Sequence, residues 1–324
     1  MGLQEVISQF GDQFQWQPHI ENAASLGSHA RFIVCGMGGS ALAPWVIKHY
    51  GQKSHSLTFH RDYGLPLISD EALKESLIII SSYSGDTEEA LDAMSEAVTR
   101  GLPVAAISIG GRLIELSRDR GIPYVQMPDM HLQPRMALGL SLLATARLMQ
   151  DAALEDSIRS AGTSIRPGEM LKEGGRLGLL FAGKVPLIYT SSANAPIGYL
   201  WKIKFNENTK IPAFTGSLPE WCHNELTGFD VVDSTRPLSA SMHALFLQDD
   251  TDHPRIQKRM QVAGDILRER GIPVEYLRLS GEGFEKVFTS AILADWTTFD
   301  LARRYGVSDM ETPLIADFKR RMAT

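Results

Sequence analysis

Short apolar runs alternate with amphipathic stretches along most of this 324-residue chain. The runs 31–35, 56–60, 77–81, 104–109 and 124–127 have the length and β-branched content of buried strands. Between them, 41–50, 87–100, 112–120 and 135–150 carry apolar residues at helical spacing, so strand and helix alternate. Gly101-Leu102-Pro103 and Gly121-Ile122-Pro123 each end a helix and begin a strand. Short strands alternating with helices predict an α/β fold with a doubly wound parallel sheet.

A polar segment, 151–175, interrupts this pattern, which then returns. Strands are expected at 185–190, 211–214, 244–248 and 274–279, with helices at 196–206, 254–270 and 284–304 and a last helix at 313–322. On the helix from Pro254, Ile256, Met260, Ala263 and Leu267 share one face, a spacing that buries it on a sheet. Even the turn Gly271-Ile272-Pro273 repeats the earlier Gly-Ile-Pro. The expectation is two α/β halves of like topology, 1–152 and 153–324, an internal duplication too diverged to align by identity.

Composition narrows the function classes. A net charge of −6 with both signs dispersed offers no basic stripe for nucleic acid. No apolar run approaches the roughly 20 residues of a membrane span, and the first residues lack the order of a signal peptide, so a cytoplasmic protein is expected. Cys35 and Cys222 are the only cysteines, too few for a disulfide framework, and free buried thiols fit a reducing compartment. Cys222 as a nucleophile is a weaker alternative. The nine histidines form no ligand-spaced cluster, and His55 and His60, five apart on a strand, point to opposite faces. Neither a metal nor another cofactor is expected.

Two loops carry the chemistry. Ser81-Ser82-Tyr83-Ser84-Gly85-Asp86-Thr87 empties hydroxyls and amides onto a helix N-terminus, an arrangement that binds anions. Gly36-Met37-Gly38-Gly39-Ser40-Ala41 follows a neighbouring strand and opens another helix. Gly36-x-Gly38-x-x-Ala41 also meets the dinucleotide fingerprint, with Asp62 at a suitable distance. The hydroxyl-rich second loop would stand where a dinucleotide needs apolar space for adenosine. Two monophosphate-sized turns favour a sugar phosphate over NAD.

At this point a resemblance becomes specific. The first glycine turn, Ser82-Tyr83-Ser84-Gly85-Asp86-Thr87-Glu88-Glu89, Pro134-Arg135, Asn206-Glu207-Asn208 and His223-Asn224-Glu225 together resemble the bifunctional phosphoglucose/phosphomannose isomerases, which have two sugar isomerase (SIS) domains. The likeness runs from about residue 30 to the end. It implies that Gly38, Gly39, Ser40, Ser82, Ser84 and Thr87 hold the substrate phosphate, that Glu207 is the base moving a proton between C1 and C2, and that Arg135 stabilises the enediolate. It further implies that His223 and Lys319 open the sugar ring, and that Thr312, where single-specificity relatives have a bulkier glutamine, leaves room for C2–C3 rotation. A homodimer with shared active sites is implied by the same likeness.

The expected reaction is therefore a metal-free interconversion of glucose 6-phosphate, and of mannose 6-phosphate, with fructose 6-phosphate. A non-catalytic SIS module that binds a sugar phosphate as a signal is the alternative, but it would dispense with Glu207, Arg135, His223 and Lys319. Taken singly, these four read as an exposed helix-end carboxylate, a solvated or paired arginine, a loop histidine and part of the basic face formed with Arg320 and Arg321. Two departures stand out: Asp86 replaces the family's usual asparagine, and Ala43-Pro44 replaces its usual glycines. A carboxylate beside a phosphate repels it unless the side chain turns away or caps a helix.

Overall fold

The computed structural model describes residues 2–51 and 56–322, so His55 lies outside the described residues. The chain gathers into two units. One comprises Gln9–Ile165 and Gly283–Glu285; the other comprises Met1–Ser8, Arg166–Glu282 and Lys286–Thr324. The short opening helix α1 (Leu3–Ser8) belongs to the second of these.

In the first unit, β1 (Arg31–Cys35), β2 (Ser56–His60), β3 (Ser76–Ser81), β4 (Val104–Ser108) and β5 (Tyr124–Gln126) form a parallel sheet in the order β2-β1-β3-β4-β5. Its helices are α2 (Leu42–Tyr50), α3 (Asp70–Lys74), α4 (Glu88–Thr99), α5 (Gly111–Asp119), α6 (Leu138–Leu148) and α7 (Ala152–Ser164). Strand residues of alternate parity face opposite sides. Ile33, Cys35, Ile78, Ile80 and Ala106 pack with Ala90, Ala93, Met94 and Ala97 of α4 and Leu113 and Ile114 of α5. The strand order reverses between β1 and β3, so the loops leaving these two strands stand side by side at the sheet's carboxyl edge. Burial, with Glu96 adding to it, pushes the Cys35 thiol up to about 12, which leaves it a packing residue.

In the second unit, β6 (Val185–Ser191), β7 (Phe214–Leu218), β8 (Met242–Gln248) and β9 (Val274–Arg278) pair in parallel in the order β7-β6-β8-β9. That order repeats β2-β1-β3-β4 of the first sheet. Helices α8 (Leu171–Leu180), α9 (Ala195–Thr209), α10 (Arg236–Ser239), α11 (Pro254–Glu269), α12 (Gly283–Tyr305) and α13 (Pro313–Met322) complete the chain. The predicted face of α11 is real: Met260, Ala263 and Leu267 are buried against Leu187, Tyr189, Ala244 and Phe246.

Three sequence expectations are corrected. The segment 211–214 is not a strand: Ile211, Pro212 and Ala213 form the link, and the edge strand β7 starts at Phe214 and runs through Gly216 and Ser217. Pro212 has no N–H to give a ladder, and an edge strand tolerates polar residues. The polar segment 151–175 is largely helical, because Glu155 of α7 is buried between Arg147 and Arg159, both about 2.9 Å from its carboxylate. A buried charge satisfied by two cations looks polar in sequence while behaving as core.

The helix expected over 135–150 divides. Pro134–Met136 makes a separate 3-10 turn, and α6 starts after Ala137. Gln13, far away in sequence and 1% exposed, holds the break: its Nε2 donates to the Met136 carbonyl at 3.0 Å, and its Oε1 accepts from the N–H groups of Gly139 and Leu140 at 3.0 and 3.3 Å. It thus caps α6 from another part of the chain, and Gly139 and Gly162 leave room for Phe14 beside it. Gln13→Leu strips three buried backbone groups of their partner, so urea unfolding should show a loss of about 2–3 kcal/mol. A loss under about 1 kcal/mol would mean that these groups find other partners.

Candidate active site

The first glycine turn leaves β1 with Gly36 donating to the His60 carbonyl at 3.1 Å. A Cβ on Gly36 would stand 2.6 Å from the Ser81 carbonyl oxygen, so only glycine lets the ends of β1 and β3 approach this closely. Gly38 takes a positive φ of 52°, and Gly38–Ala41 forms a 3-10 turn into α2. Gly39 faces the Pro134-Arg135 turn: a Cβ there would lie 2.7 Å from the Pro134 carbonyl and 2.8 Å from the Arg135 nitrogen. Arg135 is 2% exposed, not the solvated first-turn residue that proline and position alone would suggest.

Ser40 ties the two loops together. Its buried Oγ accepts from the Tyr83 N–H at 3.1 Å. In the second loop, Ser82 Oγ lies 2.9 Å from Thr87 Oγ1 and accepts from the Gly85 N–H at 3.1 Å. Ser84 is exposed, and its Oγ accepts from the Asp86 N–H at 3.3 Å. Thr87 is the N-cap of α4 but makes no side-chain cap bond. Its hydroxyl instead meets Ser82, and the positive end of α4 opens beside two hydroxyls. Gly38, Gly39, Ser40, Ser82, Ser84, Thr87 and Arg135 are therefore gathered at one sheet edge.

Asp86 turns away. Its Oδ1 accepts from the Arg112 backbone N–H at 3.2 Å and from Arg112 Nε at 3.3 Å, so the carboxylate caps α5 rather than its own helix. Ser108, which sequence reasoning missed, supports the loop from β4: its Oγ lies 3.1 Å from the Tyr83 carbonyl and 2.9 Å from that of Gly110. A lone serine at a strand end carries no signal in one sequence.

In the second unit, Glu207 occupies the last turn of α9, which runs three residues past the expected end. The flanking asparagines have separate tasks. Asn206 Nδ2 donates to the Ile211 carbonyl at 2.9 Å, and Asn208 Nδ2 donates to Thr298 Oγ1 of α12 at 2.8 Å. One turn back, Lys204 and Asp295 form a buried ion pair at 2.6 Å, and Trp201 Nε1 donates to Ser290 Oγ at 2.8 Å. Held on both sides, Glu207 faces a cavity of about 310 Å³ that Thr312 also lines.

The family description "Bacterial phospho-glucose isomerase C-terminal SIS domain" matches residues 172–322. The bifunctional phosphoglucose/phosphomannose isomerase of Aquifex aeolicus is 30% identical over 98% of this chain and 97% of its own length. The chain belongs to the bifunctional phosphoglucose/phosphomannose isomerase family. The family's protein from Thermoplasma acidophilum is 28% identical over 95% of this chain and 94% of its own. In fold, the C-terminal domain of glucosamine-fructose-6-phosphate aminotransferase from Francisella tularensis superposes with a TM-score of 0.69, at 13% identity, over 95% of this chain and 98% of that one.

Two further family positions lie outside the lining of the Glu207 cavity. His223 is exposed at the end of the 3-10 turn Glu220–His223. That turn is anchored by Trp221, which is buried with its ring 4.5 Å from Tyr189. Lys319 is exposed on α13, but its neighbours differ from it: Arg320 and Arg321 both pair with Asp317, whereas Lys319 has no ion pair among the described residues. The basic run is therefore not one uniform solvated face.

In this isomerase family member the second sheet's matching switch point carries opposite chemistry. Asn194 Nδ2, after β6, donates to Ser191 Oγ and to Asp249 Oδ2, both at 3.0 Å, and Asp249 also holds Lys286 Nζ at 2.5 Å. Burial would push the Asp249 carboxyl up, but bonds from Lys286, Thr251 and Asn194 together hold it below its usual range. Burial, with the Asp249 charge adding to it, pushes the nearby Asp252 up. Carboxylates at this edge disfavour an anion, unlike the amides and hydroxyls gathered at the first sheet. At the first sheet, Asp86→Asn should change the inhibition constant for inorganic phosphate by less than about fivefold, the scale of an exposed ion pair. A tenfold or larger tightening would show that the carboxylate faces the anion after all.

Proposed function

We propose that this protein is an aldose–ketose isomerase that interconverts glucose 6-phosphate, and mannose 6-phosphate, with fructose 6-phosphate. The observation that carries the reading is Glu207: a carboxylate on the last turn of a helix pinned by buried polar contacts, turned to a cavity beside Thr312. A base for isomerisation must be fixed while remaining accessible, and this placement gives both.

In this reading Gly38, Gly39 and the hydroxyls of Ser40, Ser82, Ser84 and Thr87 hold the phosphate, with the N-terminus of α4 adding its partial charge. Such a site needs no global positive field, which an acidic chain could not supply. His223 and Lys319 open the ring, moving a proton between O5 and O1. Glu207 then takes the proton from C2 and returns it to C1, while the O2 proton moves to O1, and the reverse sequence regenerates the aldose. The Arg135 guanidinium stabilises the negative charge on the enediolate oxygens, the part a metal ion plays elsewhere. Among the described residues no group of three histidine, cysteine or acidic side chains is placed to hold a metal. Thr312 gives the room in which C2–C3 rotation admits the mannose epimer.

No helix of the described residues is long and apolar enough to cross a membrane, and we place the protein in the cytoplasm as a homodimer. The exposure of His223 on an anchored turn suits a side chain lent to the neighbouring subunit's site.

Turnover of both aldose phosphates should persist under exhaustive chelation, and Glu207→Gln should lower kcat by about 10²–10⁴ while phosphate inhibition stays near normal. Near-normal turnover in that variant would remove Glu207 from the base role, and zinc-restorable loss on chelation would overturn the metal-free route.

Sharing of His223 can be read by complementation. Glu207→Ala and His223→Ala proteins, mixed under subunit exchange, should recover about a quarter of wild-type activity, because half the dimers are mixed and half of their sites intact. If no activity returns, His223 serves its own chain.

A further inference from the structure

Lys210 ends α9 in the left-handed region, with φ 59° and ψ 28°. Four residues other than glycine take a positive φ among the described residues, and of these only Lys210 belongs to the second unit. Glycine or asparagine fits such a position with less backbone cost, so a lysine there points to a use for its side chain.

That use is visible in its contacts. The Lys210 ammonium donates to the Glu207 carbonyl and to the Ser308 carbonyl, each at 2.5 Å. The first is one of the last-turn carbonyls that a helix leaves in need of a donor. The second lies in the link between α12 and α13. Ser308 in turn fixes the residues that lead into α13: its Oγ accepts from the Glu311 N–H at 3.3 Å, and the Thr312 carbonyl accepts from Ala316 to start the helix. A continuous path thus joins the helix end bearing Glu207 to the segment bearing Thr312, and Lys210 lines the cavity that both of them face.

We propose that Lys210 is a positioning residue that sets the separation of Glu207 and Thr312, and so governs how well the cavity accepts the mannose epimer relative to the glucose one. The proposal rests on the roles given above to Glu207 and Thr312. The ammonium works through two carbonyls, and a guanidinium of similar reach can take its place, whereas glycine or methionine cannot.

The test compares Lys210→Gly, Lys210→Met and Lys210→Arg with the intact protein, using thermal unfolding and kcat and KM on both aldose phosphates. Lys210→Gly relieves the backbone, so its melting temperature should hold or rise. Its turnover should nevertheless fall, and by about threefold more on mannose 6-phosphate than on glucose 6-phosphate. Lys210→Met should show the same bias, and Lys210→Arg should restore the ratio to within about twofold of the intact protein. Stability and activity moving in opposite directions is a result that a merely structural role would not produce. An unchanged ratio in both the glycine and methionine variants would overturn the proposal.

Glu207→Gln run in parallel separates the two readings. If it abolishes turnover while the Lys210 variants behave normally, the isomerase reading stands and the positioning role fails. If it leaves turnover intact while the Lys210 variants still shift the ratio, the base assignment fails and the positioning role stands. Amide hydrogen exchange gives a readout that needs no turnover: residues 308–312 should exchange about tenfold faster in Lys210→Gly and Lys210→Met than in the intact protein. Unchanged exchange there would overturn the proposal even if neither sugar is turned over.

Discussion

The close approach of backbone to backbone at Gly36, Gly39 and Gly85 is the constraint on which the packing of the loops at the first sheet's carboxyl edge depends. At each of them a Cβ would fall less than 3 Å from a neighbouring main-chain carbonyl, the nearest being 1.9 Å from the Gly110 oxygen at Gly85. Without those three absences the glycine turn, the serine loop and the Pro134-Arg135 turn could not share one sheet edge. Strand order does the rest, because β1 and β3 are neighbours whose connections leave in opposite directions. Gln13 then holds the arginine turn against this edge by supplying both a donor and an acceptor that the interrupted helix lacks.

The second unit reuses the same strand order for another purpose. Its switch point is filled by Asn194, Asp249 and Lys286, a network that satisfies itself and presents no surplus of donors to an anion. Along α9, the buried Lys204–Asp295 pair and the Asn208–Thr298 bond fix the turn that bears Glu207, the proposed base, to α12. A buried ion pair is a weak source of net stability, but it is specific in geometry, and geometry is what the proposed role of Glu207 would need. The two sheets share a strand order but carry different polar groups at their switch points.

Charge is handled just as locally. A chain of net charge −6 cannot attract a phosphate by its overall field, so the proposed phosphate site relies on amides, hydroxyls and a helix end that act over a few ångströms. Asp86 shows how short the range of this control is. One residue from Thr87, its charge is turned to Arg112 and the N-terminus of α5, and it is answered there.

Periodicity determined the α/β class, the bounds of β1 and β2 and the buried face of α11, because these depend on which residues must leave water. Helix α13 was bounded instead by Pro313, which opens a helix without leaving a needed N–H unpaired. The two loops were legible for a related reason: glycines and hydroxyls at a strand end have few other uses. What lay beyond the sequence was every contact between distant segments. The cap from Gln13, the helicity hidden around Glu155, the start of β7, the turning of Asp86, the separate tasks of Asn206 and Asn208 and the reach of Lys210 to Ser308 all depend on partners far along the chain or on a rotamer. A polar side chain in sequence is a set of unassigned donors and acceptors, and only the packed structure decides which groups satisfy them.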